Sequence, residues 1–522
     1  METATRIGVN GGDDAGAVTG RRVARNTGAN LVGSGVVAVL AVVMTPFLLE
    51  HLGAAEYGVW ILALTLTYTV GYAAIADLGM QQALVRMVAD RYALDAHEEI
   101  DRLVSTTVAA FAVLGILGAL GLVALADAFT HWFGVDESLR SATQLAFVLI
   151  GVQLAVDLVT GAFRSVLEGA QRFGALRFVE IGPRLAWAVL AVPVVLAGHG
   201  VVALAAISLG VAVIMAAVSV RLAQRACPGL RLSWRLVDGT TAMAIGREAT
   251  GFLTLRVSSI VYSQMDRVIV GLMLGAAAVA HYEVAYKLHA VAAMVLALAP
   301  SALMPAASYL GARGDTERQR VLYVRGTRLA VAATAAVTLS AIIFTRPLLI
   351  AWVGEGYAGL AGTTRLYLVY PILVSIHVIG LTMLVGLGRL RQVAALSLAS
   401  VGVNLVLSIV LVGRLGLIGV VWGTTIGYLV LWVPYLRIIT RELGVRISEF
   451  LPTVIRPVVP GVVAQVGVGL VMLRALPAAP GLFVVLGAMA LGVVVNLGCF
   501  AVVGIDHDER RALLAVVGRR TR

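Results

Sequence analysis

The chain has 522 residues, of which 60% are hydrophobic and only 13% charged, and its formal net charge is +11. Ordinary soluble domains are roughly 45–50% apolar, so the composition excludes a soluble globular protein and indicates a polytopic membrane protein. The positive charge alone could also indicate a nucleic-acid partner, and the positions of the basic residues decide between the two.

Fourteen apolar stretches follow one another along the chain. A run of about 18 to 25 apolar residues crosses a bilayer as one helix, so each stretch predicts one transmembrane span. The predicted fold class is therefore an all-α membrane protein with about fourteen transmembrane helices. The spans are 30–49, 58–85, 103–126, 141–163, 178–197, 200–220, 249–274, 279–308, 327–345, 364–387, 392–413, 416–436, 457–474 and 480–503.

The basic residues predict the orientation of these spans. If the N-terminus is cytoplasmic, the outer loops contain only Arg140, Arg346, Arg365, Arg414 and Arg474, and four more cations lie inside spans. The remaining 31 of the 40 Lys and Arg residues lie in inner loops and termini. Short loops rich in Lys and Arg stay inside the cell, so both termini are predicted to be cytoplasmic in a plasma-membrane protein. The positive charge then reflects topology and contact with anionic lipids, and no nucleic-acid partner is predicted.

A short repeat divides the chain. Residues 52–55 and 274–277 both read LGAA, and Ala55-Glu-Tyr57 aligns with Ala280-His-Tyr282 at an offset of 225 residues, which spans six helices. An even number of spans returns the chain to the same side, so the sequence predicts two parallel, pseudo-symmetric six-helix lobes, as in some transporters. The predicted units are a disordered tail 1–25, lobes 26–222 and 248–440 joined by linker 223–247, an additional helix pair 441–503, and a basic tail 504–522.

Four segments resemble a known family. They are MTPFLLEHLGAAEYGVW (44–60), IADLGMQQALVR (75–86), QMDRVIVGLMLGAAAVAHYEVAYKL (264–288) and LAPSALMPAAS (298–308). They look like the polysaccharide-export flippases of the multidrug/oligosaccharidyl-lipid/polysaccharide exporter superfamily. The resemblance implies a two-lobed transporter that moves undecaprenyl-diphosphate-linked oligosaccharide from the inner to the outer leaflet for surface lipopolysaccharide or exopolysaccharide. It also implies, as partners, the glycan polymerase and glycosyltransferases of the same pathway.

Charged side chains recur inside the predicted spans. An ionised group at the bilayer centre costs about 2.5 to 3.5 kcal/mol on insertion scales, so it normally faces a partner or a watery cavity. Helical spacing places these residues on single faces of their helices. The faces are Arg256, Ser259, Ser263 and Arg267, with Asp266 at the edge; Glu283 and Lys287; Gln153, Asp157, Gly161, Arg164 and Glu168; Arg177, Glu180 and Arg184; and Asp77 with Gln81.

These polar faces predict an aqueous cavity between the lobes. Arginine can hold phosphate oxygens bidentately, so the cationic members are the candidate diphosphate ligands. One alternative is that the charges form closed structural pairs, namely Glu283 with Lys287, Asp266 with Arg267 or Lys287, and Glu180 with Arg184. Another is that Arg164, Arg172 and Arg177 snorkel to the interface. The predicted ligands are Arg256, Arg184, Arg164, Arg267 and Lys287.

Energy coupling has several candidates. The chain's only lysine, Lys287, follows Tyr286 and not a glycine-rich turn, so there is no P-loop and no ATPase. The sequence likewise has no metal-ligand motif, and no cofactor is predicted. A proton or Na⁺ could instead bind a carboxylate within a span. The candidates are Asp157, Asp77, Asp266 and Glu283.

Three other functions stay open. A peptidoglycan-precursor flippase also has fourteen helices, but the arginines expected in its first helix are missing here. A drug/cation antiporter of the same superfamily commonly carries an acid in that helix, and residues 31–49 contain none. A glycan polymerase or ligase needs a substantial outer loop, whereas residues 346–363 offer little beyond Arg346 and Glu355. The chain is therefore not predicted to be an enzyme.

Aromatic residues occur near the ends of several predicted spans. Trp and Tyr are enriched at both membrane interfaces, where their rings lie at the level of the headgroups. The sequence therefore predicts an interfacial belt. Its members are Tyr57, Trp60, Trp132, Trp352 and Trp432.

Overall fold

The computed structural model describes residues 12–65, 77, 79–477 and 479–505, and for some helical residues, among them 251–263, the backbone alone. Within these ranges the chain forms seventeen α-helices and no strand, which confirms the all-α prediction. The helices are α1 (Gly12–Thr65), α2 (Met80–Tyr92), α3 (His97–Trp132), α4 (Glu137–Gly169), α5 (Phe173–Leu196), α6 (Val201–Ala226), α7 (Gly239–Leu274), α8 (Ala276–Ala312), α9 (Thr316–Ile343), α10 (Thr345–Val353), α11 (Ala361–Ser375), α12 (Val378–Gly386), α13 (Leu390–Leu415), α14 (Leu417–Glu442), α15 (Ile447–Ile455), α16 (Val459–Ala475) and α17 (Leu482–Cys499).

Among the described residues, nine helices are long and apolar enough to cross a membrane, or up to eleven if each of two bent helix pairs is one span. These eleven coincide with eleven of the fourteen predicted spans. The other three, 58–85, 249–274 and 279–308, each include residues that are not described completely. Of these, 249–274 and 279–308 are helical and lie in α7 and α8.

The predicted terminal tails lie mostly outside the described residues, which leave out 1–11 and 506–522. Residues 12–25, which the sequence predicted to be disordered, are helical and form the beginning of α1. Alanine and arginine in this segment favour a helix, so it continues the apolar helix that follows. The predicted boundaries of the two lobes and the linker stay a prediction.

The repeated LGAA segments share one backbone conformation. Gly53 has φ 74° and ψ 168°, and Gly275 has φ 86° and ψ 169°. A positive φ is readily adopted only by glycine, so these two residues can end one helix and start the next within a single residue. Gly58, which follows the turn at Gly53, is in direct contact with Ala276, which follows the turn at Gly275. Both turns therefore lie at the same end of the bundle. We call this the outer end, following the predicted orientation, and the opposite end the inner end.

The beginning of α7 at the inner end is fixed by its N-cap. The Asp238 carboxylate accepts hydrogen bonds from the Thr240 hydroxyl and from the backbone N–H and hydroxyl of Thr241. An N-cap carboxylate satisfies donors that the first helical turn leaves open. The hydrogen bond from Thr240, followed by those from Thr241, holds the pKa of Asp238 well below its ordinary value.

The hydrophobic core is shared at the outer end and divided at the inner end. One cluster at the outer end combines residues of α1–α6, such as Leu62, with residues of α7–α14, such as Val270. At the inner end, Val166 belongs to a cluster from the first half of the chain, and Tyr323 to a separate cluster from the second half. The beginning of α7, at Ile245, packs against α2, α3 and α4. The two halves are therefore joined at the outer end and more separate at the inner end.

The helices α16 and α17 are attached to α9 by buried polar groups. Gln465 Nε2 donates to the Ala336 carbonyl at 2.7 Å and to Ser340 Oγ at 2.7 Å, and Asn496 Nδ2 donates to Gln465 Oε1 at 2.6 Å. Gln465 and Asn496 are both fully buried. Because buried amides are costly to leave unpaired, these bonds hold the last two helices firmly on α9.

Candidate functional site

A cavity of about 880 Å³ lies among α1, α4, α5, α6 and α8. Its wall has apolar side chains and seven charged ones, which is the composition expected where water and an ionic group must enter a membrane protein. Four of these charges are cationic and three acidic. They are Arg164, Arg177, Arg184 and Lys287, and Asp157, Glu168 and Glu180.

Helix α5 contributes one polar face to the cavity. Arg177, Glu180, Arg184 and Trp187 follow at spacings of three and four residues and all line the cavity, as helical periodicity predicts. The ion pair on this face is between Arg177 Nη1 and Glu180 Oε2 at 2.6 Å. Arg184 has no ion pair or hydrogen bond with a described residue, although it interacts electrostatically with Glu180 and Arg164. It is therefore the cation best placed to bind an anionic ligand that enters the cavity.

Helix α4 lies across the cavity wall with a second polar face. Gln153 Nε2 donates to Asp157 Oδ2 at 3.3 Å, and Arg164 Nη2 donates to the carbonyl oxygen of Asp157 at 3.4 Å. Asp157 is buried, with 8% of its surface exposed. Gln81 of α2 joins this wall, and its Nε2 donates to the Gly161 carbonyl at 3.2 Å. The predicted face of α4 is thus directed at the cavity, with Asp157 at its centre.

Lys287 closes the cavity towards the outer end. Its Nζ donates to the Tyr57 hydroxyl at 3.1 Å and lies 3.6 Å from Glu283 Oε1. Tyr57 belongs to α1 and Lys287 to α8. The ammonium group therefore connects the two halves of the chain while it lines the cavity.

The remaining outer charges form a buried network behind Lys287. Arg267 Nε lies 2.8 Å from Glu283 Oε2, and its guanidinium lies 4.2 Å from the centre of the Tyr286 ring. Asp266 does not pair with Arg267. Its Oδ2 accepts hydrogen bonds from Tyr282 at 2.9 Å and Thr424 at 3.1 Å.

The structure thus divides the predicted site residues into three groups. Arg184, Arg164, Lys287 and Asp157 line one cavity. Arg267, Asp266 and Glu283 are buried outside its described lining, and Asp77 is buried in the turn before α2, where its Oδ1 accepts from the Gly79 N–H at 2.8 Å. The backbone of Arg256 lies in α7, but its side chain lies outside the described residues.

No metal centre is formed by the part of the chain that the structure describes. There, no three His, Cys, Asp or Glu side chains come together in a way that could hold a metal ion.

The aromatic side chains of the cavity were not predicted as part of the site. Tyr57 and Trp60, predicted in the interfacial belt, are 1% and 3% exposed, and both line the cavity. Trp352, also predicted in the belt, is buried and donates its Nε1–H to the Val42 carbonyl at 2.8 Å. Tyr57 and Trp60 are inside because the turn at Gly53 directs the following part of α1 back into the bundle. Trp187 continues the predicted face of α5 and could have been found by extending it three residues beyond Arg184.

The fold is that of a class of membrane transporters. The structure is similar to that of the lipid II flippase MurJ in an inward closed conformation, with a TM-score of 0.67, 12% identity, and coverage of 90% of this chain and 97% of that one. It is also similar to an inward-facing multidrug resistance MATE family transporter of the MOP superfamily, with a TM-score of 0.65, 15% identity, and coverage of 78% and 94%.

The sequence defines the family within that class. Residues 23–310, more than half of the chain, match the model of the polysaccharide biosynthesis protein family, and the chain belongs to this family. A putative O-antigen transporter of Shigella flexneri is 28% identical over 152 residues, which cover 29% of this chain and 35% of the relative's length. The resemblance predicted from the sequence is confirmed.

Proposed function

We propose that the protein is a flippase that moves undecaprenyl-diphosphate-linked oligosaccharide from the inner to the outer leaflet of the plasma membrane. The observation that carries this proposal is the cavity of about 880 Å³ with four cationic side chains in its wall. Membership in the polysaccharide biosynthesis protein family and the similarity to a putative O-antigen transporter support this class of cargo.

The cations of the cavity fit a diphosphate. Arg184 and Arg164 can each present two parallel N–H groups to phosphate oxygens, and such charge-assisted bonds are about twice as strong as neutral ones. Lys287 adds a point charge at the outer end of the same cavity. Because low-dielectric walls strengthen these interactions, a few cations are sufficient to compensate the charge of the cargo. The predicted ligand Arg256, on α7, stays part of the proposal.

The arrangement of the halves fits alternating access. The halves share a core at the outer end, and Lys287 and Tyr57 bond across them there. Cargo then enters from the inner end, where the halves share less of their core, and leaves after the outer contacts open and the inner ones close. The lipid tail stays in the bilayer. No bond of the cargo is made or broken, so this activity is transport and not catalysis.

The energy source for transport and the partner enzymes are part of the same proposal. With no P-loop in the sequence, movement is driven by an ion gradient or the membrane potential, and the candidate ion-binding carboxylates are Asp157, Asp77, Asp266 and Glu283. Glycosyltransferases supply the cargo on the cytoplasmic side, where both termini lie, and a polymerase consumes it outside.

The test is a deletion strain of the source organism, extracted for lipid-linked sugars. We expect undecaprenyl-linked glycan to accumulate and surface glycan to disappear, with recovery when the wild-type gene is restored. Accumulation of a peptidoglycan precursor in its place would assign the other flippase function, and no accumulation of either lipid would overturn the proposal.

Variants test the role of the cations in the same strain. Arg184→Ala and Arg256→Ala should reduce surface glycan about tenfold or more, because a hydrogen bond to a charged group contributes roughly 1.5 to 3 kcal/mol. Arg221→Ala, which removes an exposed arginine of α6 outside the cavity lining, is the matched control. Unchanged export by both cavity variants at normal membrane abundance would remove the diphosphate role.

A further inference from the structure

Two tryptophans form a rigid aromatic surface in the wall of the cavity. The rings of Trp60 on α1 and Trp187 on α5 are parallel within 2°, with centroids 5.4 Å apart. Atoms of stacked rings touch at about 3.5 to 4.0 Å, so this separation means that the rings are offset and each leaves part of its face uncovered. Trp60 is 3% exposed, whereas Trp187 is only partly buried. Trp187 is thus the ring that can accept a ligand.

Trp187 is held in one orientation by its neighbours. Its Nε1–H donates to the Leu204 carbonyl of α6 at 3.3 Å, and Trp60 supports one face. The polar group of the indole is therefore satisfied within the protein. A fixed ring loses little conformational entropy when a ligand binds to it.

The position of Trp187 relative to Arg184 decides what the ring can bind. Trp187 lies three residues after Arg184 on the same face of α5, which is a rise of about 4.5 Å towards the outer end. The sugar attached directly to a diphosphate lies about one such step from the phosphate that Arg184 would hold. Gln153 adds a polar contact in the same cavity, because its buried Oε1 has no hydrogen-bond partner among the described residues and can accept from a hydroxyl.

We propose that Trp187, supported by Trp60, is the binding platform for the first sugar of the cargo, the pyranose linked to the diphosphate. This rests on the proposed function. The C–H groups on one face of a pyranose are apolar and slightly positive, whereas the face of an indole is slightly negative, so the two surfaces stack. The cavity then has two subsites, a cationic one for diphosphate and an aromatic one for sugar, in the order in which the cargo presents these groups.

The experiment compares two short-chain lipids on the purified full chain in nanodiscs. Farnesyl diphosphate carries no sugar, and farnesyl diphosphoryl-N-acetylglucosamine carries one. We expect the wild type to bind the glycosylated lipid more tightly, and Trp187→Leu to lose that preference, by about two- to tenfold, without changing the affinity for farnesyl diphosphate. Trp422→Leu, which removes a tryptophan of α14 outside the described lining of the cavity, is the matched control.

The outcomes separate this platform from the transport proposal. Arg184→Gln should weaken binding of both lipids, whereas Trp187→Leu should weaken only the glycosylated one. If neither lipid bound in an Arg184-dependent way, the diphosphate site of the proposed function would fail. A different result would overturn the platform alone. In that result both lipids bind in an Arg184-dependent way, but the wild type does not prefer the glycosylated lipid, or Trp187→Leu retains that preference. Trp187→Met, which also removes the ring, replaces the leucine variant if that variant does not fold.

Discussion

The outer charge network and the inner polar face of α5 contain the same residue types in opposite environments. In the network, the side chains of Arg267 and Glu283 are 9% and 7% exposed and form a pair at 2.8 Å. On α5, the side chains of Arg177 and Glu180 are 40% and 36% exposed, and the neighbouring Arg184 is not paired with any described residue. The outer charges are therefore paired with one another, whereas the inner face of α5 has a cation, Arg184, that is available for a ligand.

This difference shows that charge inside a span does not by itself identify a binding site. Desolvating an ion costs several kcal/mol, and a buried partner repays this only in good geometry. A half-exposed pair keeps part of its hydration and contributes little. The network around Glu283 is thus suited to holding α7 and α8 together, and the cavity face of α5 to exchanging its protein contacts for contacts with a ligand.

The largest expected effect comes from removing the acid at the centre of the outer network. Glu283→Ala leaves Arg267 buried without its carboxylate, which typically costs about 3 to 5 kcal/mol. Less folded protein should reach the membrane, and the purified variant should unfold at a clearly lower temperature. Glu180→Ala on α5 is the matched variant and should change the unfolding temperature by far less, because its pair is half-exposed.

A double variant tests whether the network is structural. In Arg267→Met with Glu283→Leu, both charges are replaced by apolar groups of similar size, which is often neutral or stabilising for a buried pair. The double variant should recover the part of the stability that Glu283→Ala loses through Arg267, while Lys287 keeps its hydrogen bond to Tyr57. If the double variant folds but does not transport, the outer network also binds cargo or an ion. The outer network and the face of α5 would then both bind ligands, and the proposed difference between them would be smaller.

Local spacing predicted more of the site than long-range pairing did. The faces of α4 and α5 followed from helical periodicity, because residues three and four apart lie on one side of a helix. The pair of Glu283 with Lys287 followed for the same reason and is present at 3.6 Å. The pairing of Arg267 with Asp266 was wrong, because Arg267 pairs with Glu283 and this depends on how α7 and α8 are rotated against each other.

The position of Tyr57 and Trp60 in the cavity was outside the reach of the sequence. A tryptophan in an apolar run has the same composition signal whether it faces lipid, another helix or a cavity. Closeness to a loop therefore predicts Tyr57 and Trp60 at the interface, whereas Trp187 lies on the predicted face of α5. What places Tyr57 and Trp60 inside is the positive φ of Gly53 and the packing of α1 against α8, and neither is visible in a hydropathy pattern.

A smaller effect is expected from a methyl group at the outer contact. A Cβ at Gly58 would overlap the carbonyl oxygen of Ala276, whereas a Cβ at Gly35, on the same helix, meets nothing within 4 Å. Overpacking a tight contact typically costs about 1 to 3 kcal/mol, so Gly58→Ala should lower the unfolding temperature of the purified protein. Gly35→Ala should raise it slightly, because alanine favours a helix over glycine by about 1 kcal/mol. Equal shifts in both variants would mean that the outer contact is not tight.

The smallest expected effect concerns the bond that joins the two halves directly. Tyr57→Phe removes the hydroxyl that accepts from Lys287 at 3.1 Å and leaves the ring in place. A hydrogen bond contributes about 1 kcal/mol, and this one joins α1 to α8, so it is lost when the outer end opens. The outward-open population should therefore increase about fivefold. The measurement is the rate at which an impermeant maleimide, added from outside, labels Ser208→Cys in the cavity of a chain without Cys227 and Cys499.

The control for this measurement lies at the inner end. Arg86 and Glu248 form a pair at 3.0 Å between α2 and α7, with side chains 64% and 41% exposed. Since exposed pairs contribute about 0 to 1 kcal/mol and this one does not bridge the outer contact, Glu248→Gln should not accelerate labelling from outside. A faster rate in Glu248→Gln than in Tyr57→Phe would show that the halves are controlled from the inner end. The contacts of the shared core at the outer end would then form as a result of closure at that end, and they would not be what keeps it closed.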